Sequence, residues 1–348
     1  MAAIWFWLVS VMVAIYAVMD GFDFGAGILH PWVARTDGER RQVLSTIGPL
    51  WDGNEVWLLA AGGCLFLAFP KVLAAGFSGF YLALFMVVWT LIMRGIAIEF
   101  RSHVADGMWR GLWDFAFTAA SVILPVLLGA ALGNVVRGVP LDASGYFNIP
   151  LFTDWSADNP VGILDWYTVL MGGFVLVTLA NHGALFLAWK TEGPVHERAR
   201  RIALPLSLLT AVLGGVCTLA TARVNPDVYA HLPAAPLAWL GLLVFLAGLV
   251  VLFWGQLRGR HLLAFLGSAA FILGLLAATA ACVFPVMLKS TLNPAWSLTA
   301  DNAATSEAGL RAGLSWWLFG FPLAVVYFVL LFRLHRGKVK LADDGKGY

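Results

Sequence analysis

AAPLAWLGLLVFLAGLVVLFWG, residues 234–255, decides what kind of protein this is. The stretch carries no charged side chain and is long enough to cross a bilayer, which takes about 20 apolar residues of helix. Eight further runs of the same kind occur at roughly 3–29, 48–69, 73–98, 114–136, 162–189, 202–222, 262–287 and 313–333. Backbone groups in lipid are satisfied only in helices or closed barrels. Runs this long and unbroken exclude a barrel, whose strands alternate over about ten residues. The expected fold is all-α and integral to a membrane, with nine transmembrane helices. Only Pro70 and Lys71, with a residue or two, part the second run from the third.

Composition agrees. Of 348 residues, 60% are hydrophobic and 12% are charged, against about 45–50% and about 25% in soluble domains. Sixteen Trp and 24 Phe suit a chain with two membrane interfaces to anchor. A net charge of +2, scattered along the chain, argues against a nucleic-acid partner. Cys64, Cys217 and Cys282 lie in apolar runs and match no metal or haem-attachment spacing, so they read as small buried residues. The first Lys or Arg is Arg35, and no cleavage site follows the first run. That run is expected to stay as a membrane helix rather than be removed as a signal.

Cations set the direction. Sixteen of the 22 Lys and Arg follow odd-numbered runs, five lie on the other side, and Arg94 falls inside a run. By the positive-inside rule the N-terminus is expected in the periplasm and the C-terminus in the cytoplasm. The loop Thr36-Asp37-Gly38-Glu39-Arg40-Arg41 after the first run has a counterpart four runs later. That is Thr191-Glu192-Gly193 followed by Glu197-Arg198-Ala199-Arg200-Arg201. The repeat predicts two parallel four-helix bundles plus one peripheral helix. The expected map is a first bundle over 1–136, an outer loop over 137–161 and a second bundle over 162–287. An outer loop over 288–312, a ninth span over 313–333 and a tail over 334–348 complete it.

An ionisable group inside a span is costly and points to function. Asp20 and Asp23 stand three apart in the first run and share a helix face. Asp52 and Glu55 do the same at the start of the second, behind Pro49, and also read as charge-balancing residues of a helix start. Arg94 either reaches a carboxylate of the first two runs or snorkels to the surface. At about 1.5 Å per residue these groups lie about 6–15 Å from the cytoplasmic ends, with Asn181 and His182 at about 10–12 Å. Staggered carboxylates opening to one side suit a proton path. Glu99, Arg101 and His103 read as a solvated helix end. His182 reads as a satisfied core histidine, with haem ligation as the alternative.

Three motifs carry a resemblance: Met19-Asp20-Gly21-Phe22-Asp23-Phe24-Gly25, Trp51-Asp52-Gly53-Asn54-Glu55-Val56-Trp57 and Phe77-Ser78-Gly79-Phe80-Tyr81. With Phe284-Pro285, Ser290-Thr291-Leu292 and Ala300-Asp301-Asn302, they resemble subunit II of cytochrome bd oxidases over essentially the whole chain. The resemblance implies a heterodimer with a haem-bearing subunit I in the bacterial inner membrane. That partner would hold haems b558, b595 and d and oxidise quinol, while this chain holds no haem and is inactive alone. It further implies a proton path through Asp20, Asp23, Asp52 and Glu55. Trp51, Asn54, Trp57, Arg94 and Glu99 would be supporting polar or packing groups. Some members hold a quinone in this subunit, and small single-span subunits can join the complex. Acid at position 55, where relatives carry Gln or Glu, is similar to the cyanide-insensitive branch. The rival reading is a proton-coupled secondary transporter, whose inverted repeats and midplane sites this sequence does not resemble. A purely structural membrane scaffold is the third.

Overall fold

The computed structural model describes residues 1–153, 155–156 and 161–340, so Lys346 and the tail beyond 340 lie outside the described residues. Among the described residues, eight helices are long and apolar enough to cross a membrane, and counting a bent pair as one span brings the number to nine. They are α1 (Ala2–Val33), α5 (Tyr81–Phe100), α6 (Gly107–Arg137), α7 (Trp166–Lys190), α8 (Gly193–Val224), α10 (Pro236–Leu257), α11 (His261–Val283) and α12 (Glu307–Leu334). The bent pair is α3 (Trp51–Ala68) with α4 (Pro70–Gly79), turned by 118°. The shorter elements are α2 (Asp37–Ile47), α9 (Asp227–Ala230) and an antiparallel pair, β1 (Val286–Leu288) with β2 (Leu298–Thr299).

The 118° turn corrects the expected third span over 73–98. Pro70 has no N–H to continue α3 and restricts the residue before it, and Phe69 leaves helical geometry at φ −135°, ψ 58°. Pro70 then serves as the first residue of α4, and a second break at Phe80 releases α5. The expected span therefore divides into the short α4 and the membrane-length α5.

Helix α2 occupies the stretch that the sequence presents as a loop after the first run. It is only eleven residues long and opens on charge, too short and polar for an apolar-run reading. Thr36 Oγ1 accepts from the Glu39 amide at 3.3 Å, and the Glu39 carboxylate accepts from the Arg35 and Thr36 amides at 2.6 and 3.2 Å. This reciprocal cap starts the helix, and Val43, Leu44 and Ile47 bury its other face. Despite the desolvation of its burial, hydrogen bonds from Arg198 and these two amides hold the Glu39 carboxyl below its ordinary pKa.

Helix pairing repeats between the halves. In the first, α1 packs on α3, α5 on α6, and α1 on α6. In the second, α7 packs on α8, α10 on α11, and α7 on α11. The halves meet where α1 touches α7 and α11 and where α6 touches α7. Small residues permit the closest approaches, as is usual between membrane helices. A Cβ added at Gly248 of α10 would stand 2.4 Å from the Phe271 amide nitrogen of α11, and one at Gly274 would stand 2.2 Å from that of Phe245. Helix α1 crosses α7 in the same way, at Gly25 and Gly183.

Helix α12 lies outside this arrangement and packs mainly on α3. It begins at Glu307, capped by Ser306, six residues before the expected 313, so part of the 288–312 loop is helical. The segment after α12 returns under the bundle: the Val339 amide donates to Lys190 O at 2.7 Å and Gln42 Nε2 donates to Val339 O at 2.8 Å. At the opposite end Val139, Leu141, Phe147, Ile163, Leu288 and Leu298 form a small apolar cluster of their own. There Arg137 binds Asp165, the capping residue of α7.

Candidate proton-binding cluster

The charged motifs of α1, α3 and α5 converge. Asp20, Asp23, Asn54 and Arg94 are each fully buried. Arg94 Nη1 lies 2.7 Å from Asp20 Oδ1, and Arg94 Nη2 donates to Glu55 Oε1 at 2.5 Å. The guanidinium also sits 4.3 Å above the centroid of the Phe24 ring. One cation of α5 thus binds an acid of α1, an acid of α3 and an aromatic face, a match for its planar, delocalised charge. The contact to Asp20 is ionic rather than a well-aligned hydrogen bond. Of the two readings of Arg94, the carboxylate partner holds and the snorkel does not.

Asn54 completes the group. Its Nδ2 donates to Asp23 Oδ2 at 2.8 Å and to the Met19 carbonyl at 3.1 Å. Asp23 therefore faces α3, as Asp20 faces α5. The group holds three carboxylates and one guanidinium, which pairs with two of them, so acids outnumber counter-charges. Ionisable acids held inside a span in this way can take up and release protons. Glu55 is the partly exposed member, with its side chain 22% accessible.

Other expected residues fall elsewhere. Asp52 is exposed on the first turn of α3 and Glu99 is exposed near the end of α5; neither has a hydrogen bond or ion pair to the buried group among the described contacts. Five residues separate Glu99 from Arg94, which turns it to another side of the helix. Trp51 lies against Gly95 of α5. Trp57 stacks on Phe328 at 5.5 Å and meets Phe321 edge-on at 6.1 Å, so it holds α12 rather than the acids. Tyr16, buried one turn before Asp20, carries no charge and gave no signal in the sequence.

A second charged group was missed. Arg101, read as part of a solvated helix end, is only 2% exposed. Its Nε donates to Asp114 Oδ1 at 2.6 Å and its Nη2 to Asp37 Oδ1 at 2.9 Å. His30 and Arg40 also bind Asp114, at 2.8 and 2.7 Å, and Arg110 binds Asp37 at 3.1 Å. Asp114 opens the fourth apolar run, and an acid at that place was the available signal. The network joins α1, α2, α5 and α6 at the cation-rich end, below the buried acids.

The second half holds a neutral polar group. Ser207 of α8 donates to Asn181 Oδ1 of α7 at 2.8 Å, and Gln256 of α10 donates to Ser207 at 2.7 Å. His182 binds Ser268 of α11 through Nδ1 and the Val18 carbonyl through Nε2 at 3.1 Å. Both ring nitrogens are taken, so His182 does not fit an axial haem ligand here. His30, the other buried histidine, holds Asp114 and lies edge-on to Phe117 at 5.4 Å. Among the described residues no group of three or more His, Cys, Asp or Glu is placed to hold a metal ion.

Comparison with known proteins agrees with this architecture. The family described as cytochrome bd terminal oxidase subunit II matches residues 1–335. The "Cytochrome bd-I ubiquinol oxidase subunit 2" of Escherichia coli strain K12 is 38% identical over 209 residues. That match spans 60% of this chain but only 54%, about half, of the relative's length. The "Probable cytochrome oxidase subunit 2" of Haemophilus influenzae is 31% identical over 97% of this chain and 94% of its own. In fold, the chain is similar to a chain of the bd oxidase from Geobacillus thermodenitrificans. The TM-score is 0.76 at 19% identity, covering 96% of this chain and 98% of that one. The transporter reading has no counterpart among these findings. The chain belongs to the cytochrome bd terminal oxidase subunit II family.

Proposed function

We propose that this chain is the haem-free subunit II of a quinol-oxidising, oxygen-reducing complex of the bacterial inner membrane. Its work is to stabilise a haem-bearing subunit I and to bring protons from the cytoplasm through Glu55, Asp20 and Asp23, with Asp52 at the entrance. The observation that carries the reading is the group of three acids in which Arg94 bridges Asp20 and Glu55 and Asn54 holds Asp23. The excess of cations after odd-numbered runs supports a cytoplasmic C-terminus and a periplasmic N-terminus, which places the mouth of the path on the cytoplasmic side. Repeated helix pairing and the neutral Asn181–Ser207–Gln256 counterpart support two parallel four-helix bundles, with α12 peripheral.

Haems b558, b595 and d are assigned to subunit I, and quinol and membrane lipid are the other partners. Within this chain the acids hold and pass protons, while Arg94 and Asn54 fix their positions. Electrons do not cross it.

A dithionite-reduced-minus-oxidised visible spectrum tests the assignment, on membranes holding this chain with and without its partner. Haem b and d bands should appear only when both are present, together with quinol-dependent oxygen consumption. Bands from this chain alone would contradict its haem-free role. Full bands and activity from the partner alone would contradict its role in assembly.

A further inference from the structure

Among the described contacts His182 makes no hydrogen bond or ion pair to Asp20 or Asp23, yet it bonds the turn of helix that carries them. We propose that His182 is a positioning residue for the acid pair, an inference that rests on the proton-path reading above.

Two successive carbonyls of α1 each accept a side-chain N–H. Val18 O accepts from His182 Nε2 of α7 at 3.1 Å, and Met19 O accepts from Asn54 Nδ2 of α3 at 3.1 Å. In a regular helix these carbonyls already receive the amides four residues on, those of Phe22 and Asp23. A carbonyl has a second lone pair to offer, and here two different helices use it, one on each side of the Asp20–Asp23 turn. The α3 side is shared with the acid itself, since the same Asn54 amide donates to Asp23. The α7 side has His182.

The ring is fixed on its own account. A carbonyl only accepts, so Nε2 carries the proton, and in the neutral ring Nδ1 accepts from the Ser268 hydroxyl. Phe265 stacks on the imidazole, with centroids 4.7 Å apart and planes 16° from parallel. Helices α1 and α7 approach closely at this turn. A Cβ at Gly21, between the two acids, would stand 2.9 Å from Leu179 and 3.6 Å from His182 itself. α1 is thus seated between α3 and α7 with its acid-bearing turn pinned from both. The charged and titratable groups facing that turn are Tyr16 of α1, Glu55 of α3 and Arg94 of α5; α7 contributes His182 and α11 contributes the neutral Ser268. A displacement of about 1 Å in such a constellation changes rates by about ten- to a hundredfold.

The test uses the assembled oxidase in its membrane and reads haem content alongside the pH profile of quinol-dependent oxygen consumption. His182→Leu should keep the haem bands, lose turnover by about tenfold or more and shift the pH profile. His182→Gln, whose amide can still donate to Val18 O, should recover most of the turnover and the original profile. Wild-type turnover and profile in His182→Leu would overturn the proposal. So would equal loss of haem and activity in both variants, the mark of a residue that only packs. Should His182→Leu fail to assemble, Ser268→Ala decides: a shifted profile supports the proposal, and an unshifted one overturns it. Asp20→Asn separates this inference from the reading beneath it. If Asp20→Asn loses turnover while His182→Leu does not, only the positioning role fails. If Asp20→Asn keeps full turnover, the proton path itself fails.

Discussion

Arg94→Leu should destabilise this subunit by about 3–5 kcal/mol and take the haem bands of the complex with it. Arg94 is fully buried and is the cation that offsets Asp20 at 2.7 Å and Glu55 at 2.5 Å. Leucine would fill much of the space but leave Asp20, itself fully buried, without a counter-charge. A native fold is stable by only about 5–15 kcal/mol, so a loss of this size decides whether the subunit persists. The cost lies in the unpaired charge more than in the lost pair, because replacing both members of a buried pair is often close to neutral. Asp20→Asn combined with Arg94→Gln should therefore assemble again, with haem and without turnover. Thermal loss of the haem bands in solubilised membranes measures both effects. A wild-type midpoint for Arg94→Leu would show that the cluster does not support the fold.

The next largest effect is expected where α1 crosses α7. A Cβ at Gly25 would stand 2.1 Å from the Leu179 carbonyl oxygen and 2.5 Å from Gly183 Cα. Both are backbone atoms and cannot rotate aside, so even alanine must push the helices apart. Overpacking of this kind costs about 1–3 kcal/mol, and more when neighbours cannot yield. Gly25 follows Asp23 by two residues, so the same displacement moves the acids. Gly25→Ala should lower the thermal midpoint of the complex and its turnover together. Gly173→Ala on α7, where an added Cβ meets nothing within 4 Å, should leave both unchanged. Equal midpoints for the two variants would contradict the packing described here.

Much of this was legible from residues alone, for a physical reason. Lipid allows little besides apolar helices, so runs such as 234–255 and 202–222 gave up their helices at once. The same reading failed where hydrophobicity was not the deciding force. Helix α2 is made by the Thr36–Glu39 cap and half-burial, neither of which produces an apolar run. The α3–α4 turn is set by Pro70 and Phe69, inside one apolar stretch.

The site divides similarly. Asp20, Asp23, Glu55 and Arg94 stood out because charge in a span is expensive, and the structure brings them together. Asp52 and Glu99 carried the same signal but are exposed, outside the buried group, because Asp52 lies at the open first turn of α3 and Glu99 on another side of α5 from Arg94. Arg101 was misread because its partners, Asp37 and Asp114, come from an unforeseen helix and from the start of the next span. His182 was placed as a satisfied core histidine, but its partner on α1 could not be named without the crossing of α1 and α7.

The central claim is that the buried acids carry protons for oxygen reduction. It is tested most directly by Asp20→Asn in the complete oxidase, reconstituted in sealed vesicles with a pH indicator on the cytoplasmic side. Asn keeps the shape and leaves Arg94 paired with Glu55, so the complex should assemble with full haem bands. Turnover should fall by about a hundredfold, the scale of a lost proton-transfer group, and uptake of protons from the cytoplasmic side should fall with it. Full turnover with normal cytoplasmic uptake in a haem-replete Asp20→Asn complex would contradict the account.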